Sequence, residues 1–188
     1  DPLRAGAAEL VERLQQLGLT VQILSGDRQA AARAVAADLQ LPAGQVIADM
    51  TPAEKVSAIA QLQSSGHRVG FVGDGINDAP ALAQADVGIA LNSGTEVAME
   101  TADIVLMRDT LADVEAALRL SRATFNKIRQ NLAWAFAYNL VCIPLAAGAL
   151  LPAFGIALNP GFAGGFMAFS SVSVVLNSLL LRWQQRDA

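Results

Sequence analysis

The chain has 188 residues, a net charge of −4, 53% hydrophobic residues and one cysteine, Cys142. That length suits one ordinary domain plus a small addition. A single cysteine excludes an intrachain disulfide and a Cys-x-x-Cys metal site, and no basic face or aromatic–basic interleaving supports nucleic-acid binding.

The opening run, Asp1-Pro2-Leu3-Arg4, has no initiator Met and no signal-peptide pattern, so the sequence reads as the middle of a longer chain. Residues 1–110 then alternate strand and helix signals. Val21 to Leu24 is a short β-rich run ending at Ser25-Gly26-Asp27, and an Ala-rich helix is expected from about Arg28 to Leu39. Val46-Ile47-Ala48 reads as a second strand. Thr51-Pro52-Ala53-Glu54 starts a helix in three ways: a Thr N-cap, Pro at the first helical position, and Glu completing a capping box. That helix carries Lys55 in its first turn and runs to about Ser65. Arg68 to Val72 reads as a strand delivering into Gly73-Asp74-Gly75-Ile76-Asn77-Asp78-Ala79-Pro80. Val87 to Ala90 and Asp103 to Leu106 complete the series. Short apolar strands separated by helical stretches predict an α/β fold, a parallel sheet with flanking helices on both faces. Ligands of such sheets gather at the strands' carboxyl ends. Ser25, Gly73 and Asp74 all sit just past such an end, so one cleft could hold them.

Residues 111–130 read as a basic linker helix; from 119 to 130 Arg119, Arg122, Lys127 and Arg129 face no acid. Residues 131–181 contain no Asp, Glu, Lys, Arg or His. Two apolar spans are expected there, about Leu132 to Leu151 and Phe162 to Leu181, joined by the Pro/Gly-rich connector Pro152 to Gly161. Each approaches the ~20 residues that a bilayer-crossing helix needs. Arg182 and Arg186 follow the second span, and Trp134 and Trp183 lie near the outer ends. The positive-inside rule then places residues 1–130 and the C-terminus in the cytoplasm. A buried helix pair in a soluble protein is the alternative, and so long a charge-free stretch fits poorly in so small a domain. The division expected is therefore 1–110, an α/β domain, 111–130, the linker helix, and 131–188, a transmembrane hairpin and short tail.

The turn after Val72 suggests phosphoryl chemistry. Asp74 on a tight turn can hold magnesium through oxygen, and Asp78 can bind the metal through water or orient its shell. Gly73 and Gly75 let backbone approach a phosphate without a Cβ in the way. Lys55 can place positive charge on transferring oxygens, and the Ser25 hydroxyl and Gly26 N–H can donate to the same oxygens. Each piece also has an ordinary reading: Gly-Asp pairs make turns, a lysine at a helix start is solvated, and Asp27 and Asp49 serve as caps or loop residues.

Taken together, Gly73 to Pro80 resembles the GDGxNDxP motif of P-type ATPases. Ser25-Gly26-Asp27 resembles their TGD motif, with Ser for Thr, and Asp1-Pro2-Leu3-Arg4 resembles their DPxR motif. Lys55 falls where the family keeps its hinge-domain lysine. The resemblance implies a haloacid-dehalogenase-like fold, here part of a phosphorylation domain, followed by two membrane helices. It implies ATP and Mg2+ as cofactors, Asp74 and Asp78 at the magnesium, Lys55 and Ser25 in contact with the aspartyl phosphate, and Gly26 and Asp27 in the same catalytic group, with Asp27 near the nucleotide or the domain hinge. Asp1, Arg4, Gly73, Gly75 and Asn77 would lie toward the nucleotide, its phosphates or the domain hinge. The family's DKTGT motif, whose Asp is phosphorylated, is absent, so this chain alone is expected to be inactive.

Polar residues in the two spans bear on cargo. Tyr138 and Asn139 are adjacent, Pro144 follows, and Met167, Ser170 and Ser171 share a face at i, i+3 and i+4. By residue type alone, helix packing is the more ordinary role. These pairs resemble the YN and MxxSS signatures of the copper(I) branch of heavy-metal P-type ATPases. The resemblance implies that Tyr138, Asn139, Met167 and Ser170 contact transported Cu(I) with partners outside this chain, the thioether being a soft ligand. The partners implied are the lipid bilayer, the remaining domains and helices of the same pump, and a copper donor protein. A silver or zinc pump and a non-catalytic membrane-tethered binding module are the alternatives. Cys142 reads as a packing residue and His67 as a surface or core residue.

Overall fold

A computed structural model describes residues 3–108, 110–155 and 160–184; the side chains of 153–154, 160, 162–163, 166–167 and 181–184 are also outside the described set. The expectations for Asp1, Met167, Arg182, Trp183 and Arg186 therefore lie outside the described residues. The chain divides into two compact units, 1–117 and 118–188.

In the first unit, helix α1 (Ala7–Gln16) starts after Gly6, whose φ of 81° would strain a residue bearing a Cβ. Strand β1 (Ile23–Leu24), helix α2 (Gln29–Asp38) and strand β2 (Val46–Ile47) follow. β1 and β2 pair in parallel, Ile23 opposite Val46. Val11, Leu39 and Leu41 form a small buried cluster, with Val21, Ile23 and Val46 packed against it.

Helix α3 (Pro52–Ser64) begins with the capping box expected from the sequence. Thr51 Oγ1 accepts from the Glu54 N–H at 3.3 Å, and Glu54 Oε2 accepts from the Thr51 N–H at 2.7 Å. The Thr51 N–H and the Thr51 hydroxyl, each donating to Glu54 Oε2 at 2.7 Å, hold the Glu54 carboxyl below its ordinary value.

Strand β3 (Gly70–Gly73), helix α4 (Ala79–Gln84), strand β4 (Val87–Ala90), helix α5 (Glu96–Thr101) and strand β5 (Ile104–Val105) form the second half of this unit. The sheet order is β3-β4-β5, all parallel, with Gly73 opposite Ala90. Ile59 of α3, Leu82 of α4 and Val114 are the largest fully buried side chains. The expected α/β parallel architecture is present, but as two sheets rather than one. β1 pairs only with β2, and β3 pairs only with β4, so each has an edge without a partner among the described residues.

Asp86 fastens the start of β3 to the end of α4. Its carboxylate accepts from the Val69 N–H at 2.9 Å, Gln63 Nε2 at 3.1 Å and Arg68 Nη1 at 2.6 Å. These bonds, Val69 foremost, hold its pKa at about 2. An unfolded Asp titrates near ~3.9. Between those values the folded chain binds fewer protons than the unfolded one. Asp86 therefore stabilises fully above about pH 4, and that contribution is lost as the pH falls toward about 2. Asp86→Asn is expected to flatten this part of the acid-unfolding curve, read by circular dichroism.

Helix α6 (Ala112–Ala146) runs from the first unit into the second, with Pro144 inside its last turn. A short helix α7 (Leu151–Phe154) and helix α8 (Pro160–Gln184) follow. Helix α6 merges the expected linker helix with the first expected span and stops at Ala146 rather than near Leu151, α8 covers the second, and the expected transmembrane hairpin needs correction. Among the described residues no helix is long and apolar enough to cross a membrane. In physical terms, Asn131, Tyr138 and Asn139 interrupt the apolar part of α6, and Ser170, Ser171, Ser173, Asn177 and Ser178 interrupt α8.

Candidate functional site

The turn leaving β3 centres on Asp74. Its backbone is pinned from the end of β4: the Thr95 N–H donates to the Asp74 carbonyl at 2.9 Å. Gly94 packs so closely that a Cβ there would lie 2.8 Å from the Leu91 carbonyl and 3.1 Å from that of Asp74. The Asp74 side chain remains 44% exposed and pairs with Arg4, whose Nη2 donates to Oδ2 at 2.5 Å. The Arg4 guanidinium also donates to Ser93 Oγ, at 3.2 Å from Nη1 and 3.3 Å from Nη2.

Asp78 closes the turn. Lys55 Nζ donates to its Oδ1 at 2.8 Å, with the two side chains only 13% and 16% exposed. The Gly75 N–H donates to its Oδ2 at 3.4 Å. Gly73 is glycine for a local reason: a Cβ would come 2.8 Å from the Asp78 Cβ and 3.0 Å from the Phe71 ring. The short 3-10 turn Ile76–Asp78 leaves Asn77 exposed.

A second group sits after β1. Ser25 Oγ donates to Asp27 Oδ2 at 3.2 Å and accepts from the Asp27 N–H at 3.0 Å. The Ser25 and Met50 backbones bond to Ile47 and Ser25 across the β2 end, and Asp49 Oδ2 accepts from the first N–H of α2, that of Gln29, at 3.2 Å. Asp49 is a loop residue that satisfies this N–H from 20 positions away, while the N-cap of α2 is Arg28. A Cβ on Gly26 would lie 3.3 Å from the Met50 carbonyl. Met50 leads directly into α3, so one short segment links the Ser25 turn to Lys55.

The structure thus joins Arg4 to Asp74, and Lys55 to Asp78 and Gly75. It adds Ser93, Gly94 and Thr95, which the sequence reading passed over. The signal was there: Asn92-Ser93-Gly94-Thr95 is a turn cluster at the carboxyl end of a strand, where α/β ligands bind.

The chemistry of this set fits a magnesium ion. Mg2+ is usually held by one or two carboxylates plus phosphate oxygens and water. Asp74 offers a half-exposed carboxylate on a fixed backbone, while Asp78 is committed to Lys55. Among the described residues no group of three His, Cys, Asp or Glu forms a complete protein cage.

In the second unit, a cleft of about 320 Å3 lies between α6 and α8, lined by Asn131, Tyr138, Phe169, Ser170, Ser173 and Asn177 among others. The Tyr138 hydroxyl is enclosed beside Cys142. Asn139 does not line the cleft; its Nδ2 donates to the Ala135 carbonyl at 2.9 Å. Two of the lining residues belong to a polar row: Lys127 Nζ to Asn177 Oδ1 at 2.9 Å, Asn177 Nδ2 to Asn131 Oδ1 at 2.7 Å, and Asn131 Nδ2 to Ser178 Oγ at 2.8 Å.

A family model described as a haloacid dehalogenase-like hydrolase matches residues 1–86. The chain is 54% identical over 188 residues to the "Probable copper-transporting ATPase SynA" of Synechococcus, covering 100% of this chain and 24% of that protein. It is 52% identical over 182 residues to the "Probable copper-exporting P-type ATPase" of Archaeoglobus fulgidus, covering 97% of this chain and 22% of that one. The solved structure of a zinc-transporting PIB-type ATPase in its E2.Pi state superposes with a TM-score of 0.85 at 37% identity, covering 96% of this chain and 28% of that one. The chain spans about a quarter of the length of the curated relatives it matches.

Proposed function

We propose that this chain is part of a P-type ATPase, an ATP-driven pump exporting copper(I) across a cell membrane. The observation that carries this reading is the joining, in one chain, of the Asp74–Lys55–Asp78 turn to a charge-free stretch bearing Tyr138-Asn139 and Met167 to Ser171.

Asp74 would hold Mg2+, with Asp78 beside it, and the ion would supply positive charge against the phosphoryl oxygens. Lys55 is held at the turn by Asp78 and directs its ammonium toward the same oxygens. The Ser25 hydroxyl and the Gly26 N–H donate to them from the other turn, with Asp27 fixing the Ser25 hydroxyl. Gly73, Gly75 and Asn77 shape the phosphate approach, and Asp1 and Arg4 lie toward the nucleotide or hinge. The acid that accepts the phosphoryl group from ATP comes from sequence beyond this chain. A parallel strand filling the open edges of β1 and β3 would bring it to the carboxyl ends that carry Ser25 and Asp74. Alone, the chain is inactive for want of that acid.

The pump sits in a membrane, and α6 and α8 pack among further helices of the same pump that cover their polar positions. The sites of residues 1–130 and the tail face the cytoplasm. Tyr138, Asn139, Met167 and Ser170 contact the cargo with ligands from those other helices, and a copper donor protein delivers it.

Zinc is the competing cargo, because a zinc-transporting structure superposes over nearly the whole chain. The absence of any carboxylate from 131 to 181 argues for a soft ion instead; silver shares that softness. Metal-stimulated ATP hydrolysis by the full-length pump tests this with Cu(I), Ag(I) and Zn(II). Stimulation by Cu(I) and Ag(I), lowered about tenfold or more by Met167→Ala, is expected. Stimulation by zinc alone, untouched by that substitution, overturns the cargo. No stimulation by any metal favours the non-catalytic membrane-tethered module.

A further inference from the structure

Arg4 lies 70 positions from Asp74 in sequence, yet its guanidinium is anchored on the Asp74 carboxylate and on Ser93 Oγ. Its own carbonyl accepts from the Ala7 N–H at 3.2 Å, so the backbone is held in the turn that starts α1 while the side chain reaches across. The carboxylate best suited to a divalent cation is therefore already neutralised by a cation of the chain itself. A metal on Asp74 needs a carboxylate oxygen at ~2.0–2.1 Å with near-octahedral geometry. A guanidinium on Oδ2 fills one of the directions that such an ion requires, and its charge opposes a second cation there.

We propose that Arg4 is a stand-in cation for Asp74, the guanidinium and the divalent metal taking the same carboxylate in turn, with Ser93 as Arg4's second anchor. Arg4 is a positioning residue on this account. It keeps the Asp74 side chain aimed and neutralised until the metal arrives, then yields. Ser93 sits on the turn that also pins the Asp74 backbone through Thr95, so the stand-in and the acid share one support. The inference rests on reading Asp74 as the divalent-cation acid.

Mn2+ binding to the nucleotide-free, full-length pump, counted by electron paramagnetic resonance, tests both layers separately. Asp74→Asn is expected to remove one Mn2+ site; retention of every site overturns the reading of Asp74 itself. Given that loss, Arg4→Ala is expected to tighten the Asp74-dependent site by about two- to fivefold, the scale set by the worth of an exposed ion pair. Ser93→Ala changes no charge and is expected to tighten the same site by a smaller factor, because Arg4 loses its second anchor. Arg4→Lys, which keeps the charge but not the two-pronged contact, should fall between wild type and Arg4→Ala. Unchanged or weaker Mn2+ binding in Arg4→Ala overturns the proposal. So does tightening in Arg4→Ala with none in Ser93→Ala, since a general field effect then suffices.

Discussion

Asp74→Ala in the full-length pump should abolish phosphoenzyme formation from ATP while leaving the protein folded. The side chain is half-exposed, and the turn around it is held by backbone: Thr95 N–H on the Asp74 carbonyl and the close approach of Gly94. Among the described residues its side-chain partner is Arg4, an exposed pair of the kind worth ~0–1 kcal/mol. Folding therefore loses little. The chemistry loses the acid that would hold the divalent ion, and such an ion supplies several kcal/mol of transition-state charge stabilisation. A loss on the order of a thousandfold or more follows. The measurement is acid-stable radiolabel transferred from ATP, beside a thermal unfolding midpoint. Normal labelling in the variant would falsify the assignment of Asp74.

Lys55→Met should have two effects that can be separated. The first is structural. Lys55 and Asp78 are largely enclosed, and removing the ammonium leaves Asp78 with only the long Gly75 contact named above. Breaking an enclosed pair by deleting one partner costs up to ~3–5 kcal/mol, and this pair retains some solvent, so about 2–4 kcal/mol is expected. The second is electrostatic. A positive group aimed at transferring oxygens is worth ~10²–10³ in rate. The double substitution Lys55→Met with Asp78→Asn should recover most of the stability, since no uncompensated charge remains, and none of the phosphorylation. Denaturant unfolding and phosphoenzyme yield, measured on both variants, distinguish the two. Recovery of phosphorylation in the double variant would show that Lys55 only props up Asp78.

Some of this was legible residue by residue. The Thr51–Glu54 box could be read from four adjacent letters because a capping box is a local device. The strands before Ser25 and Asp74 were visible for the same reason: apolar runs ending in small and acidic residues. What escaped was set by register between strands. Gly94 and Thr95 meet Asp74 because Gly73 aligns with Ala90, a fact no local pattern carries. The Lys55–Asp78 pair spans 23 positions, so each was assigned a ligand rather than the other. Gly73 was read as clearance for a phosphate, whereas the nearest obstacle is the Asp78 side chain. In the second half, lack of charge said membrane, but it concealed how many amides and hydroxyls the two helices present to each other.

The row from Lys127 through Asn177 and Asn131 to Ser178 has a mechanical meaning. Each asparagine is engaged at both its oxygen and its nitrogen, so neither amide can turn over without breaking its partners. Sliding α8 along α6 by one turn would sever three hydrogen bonds at once, about 2–4 kcal/mol together. The two helices therefore travel as one beam. On the proposed reading, whatever opens and shuts the way for cargo is a hinge elsewhere, with this pair carried as rigid freight.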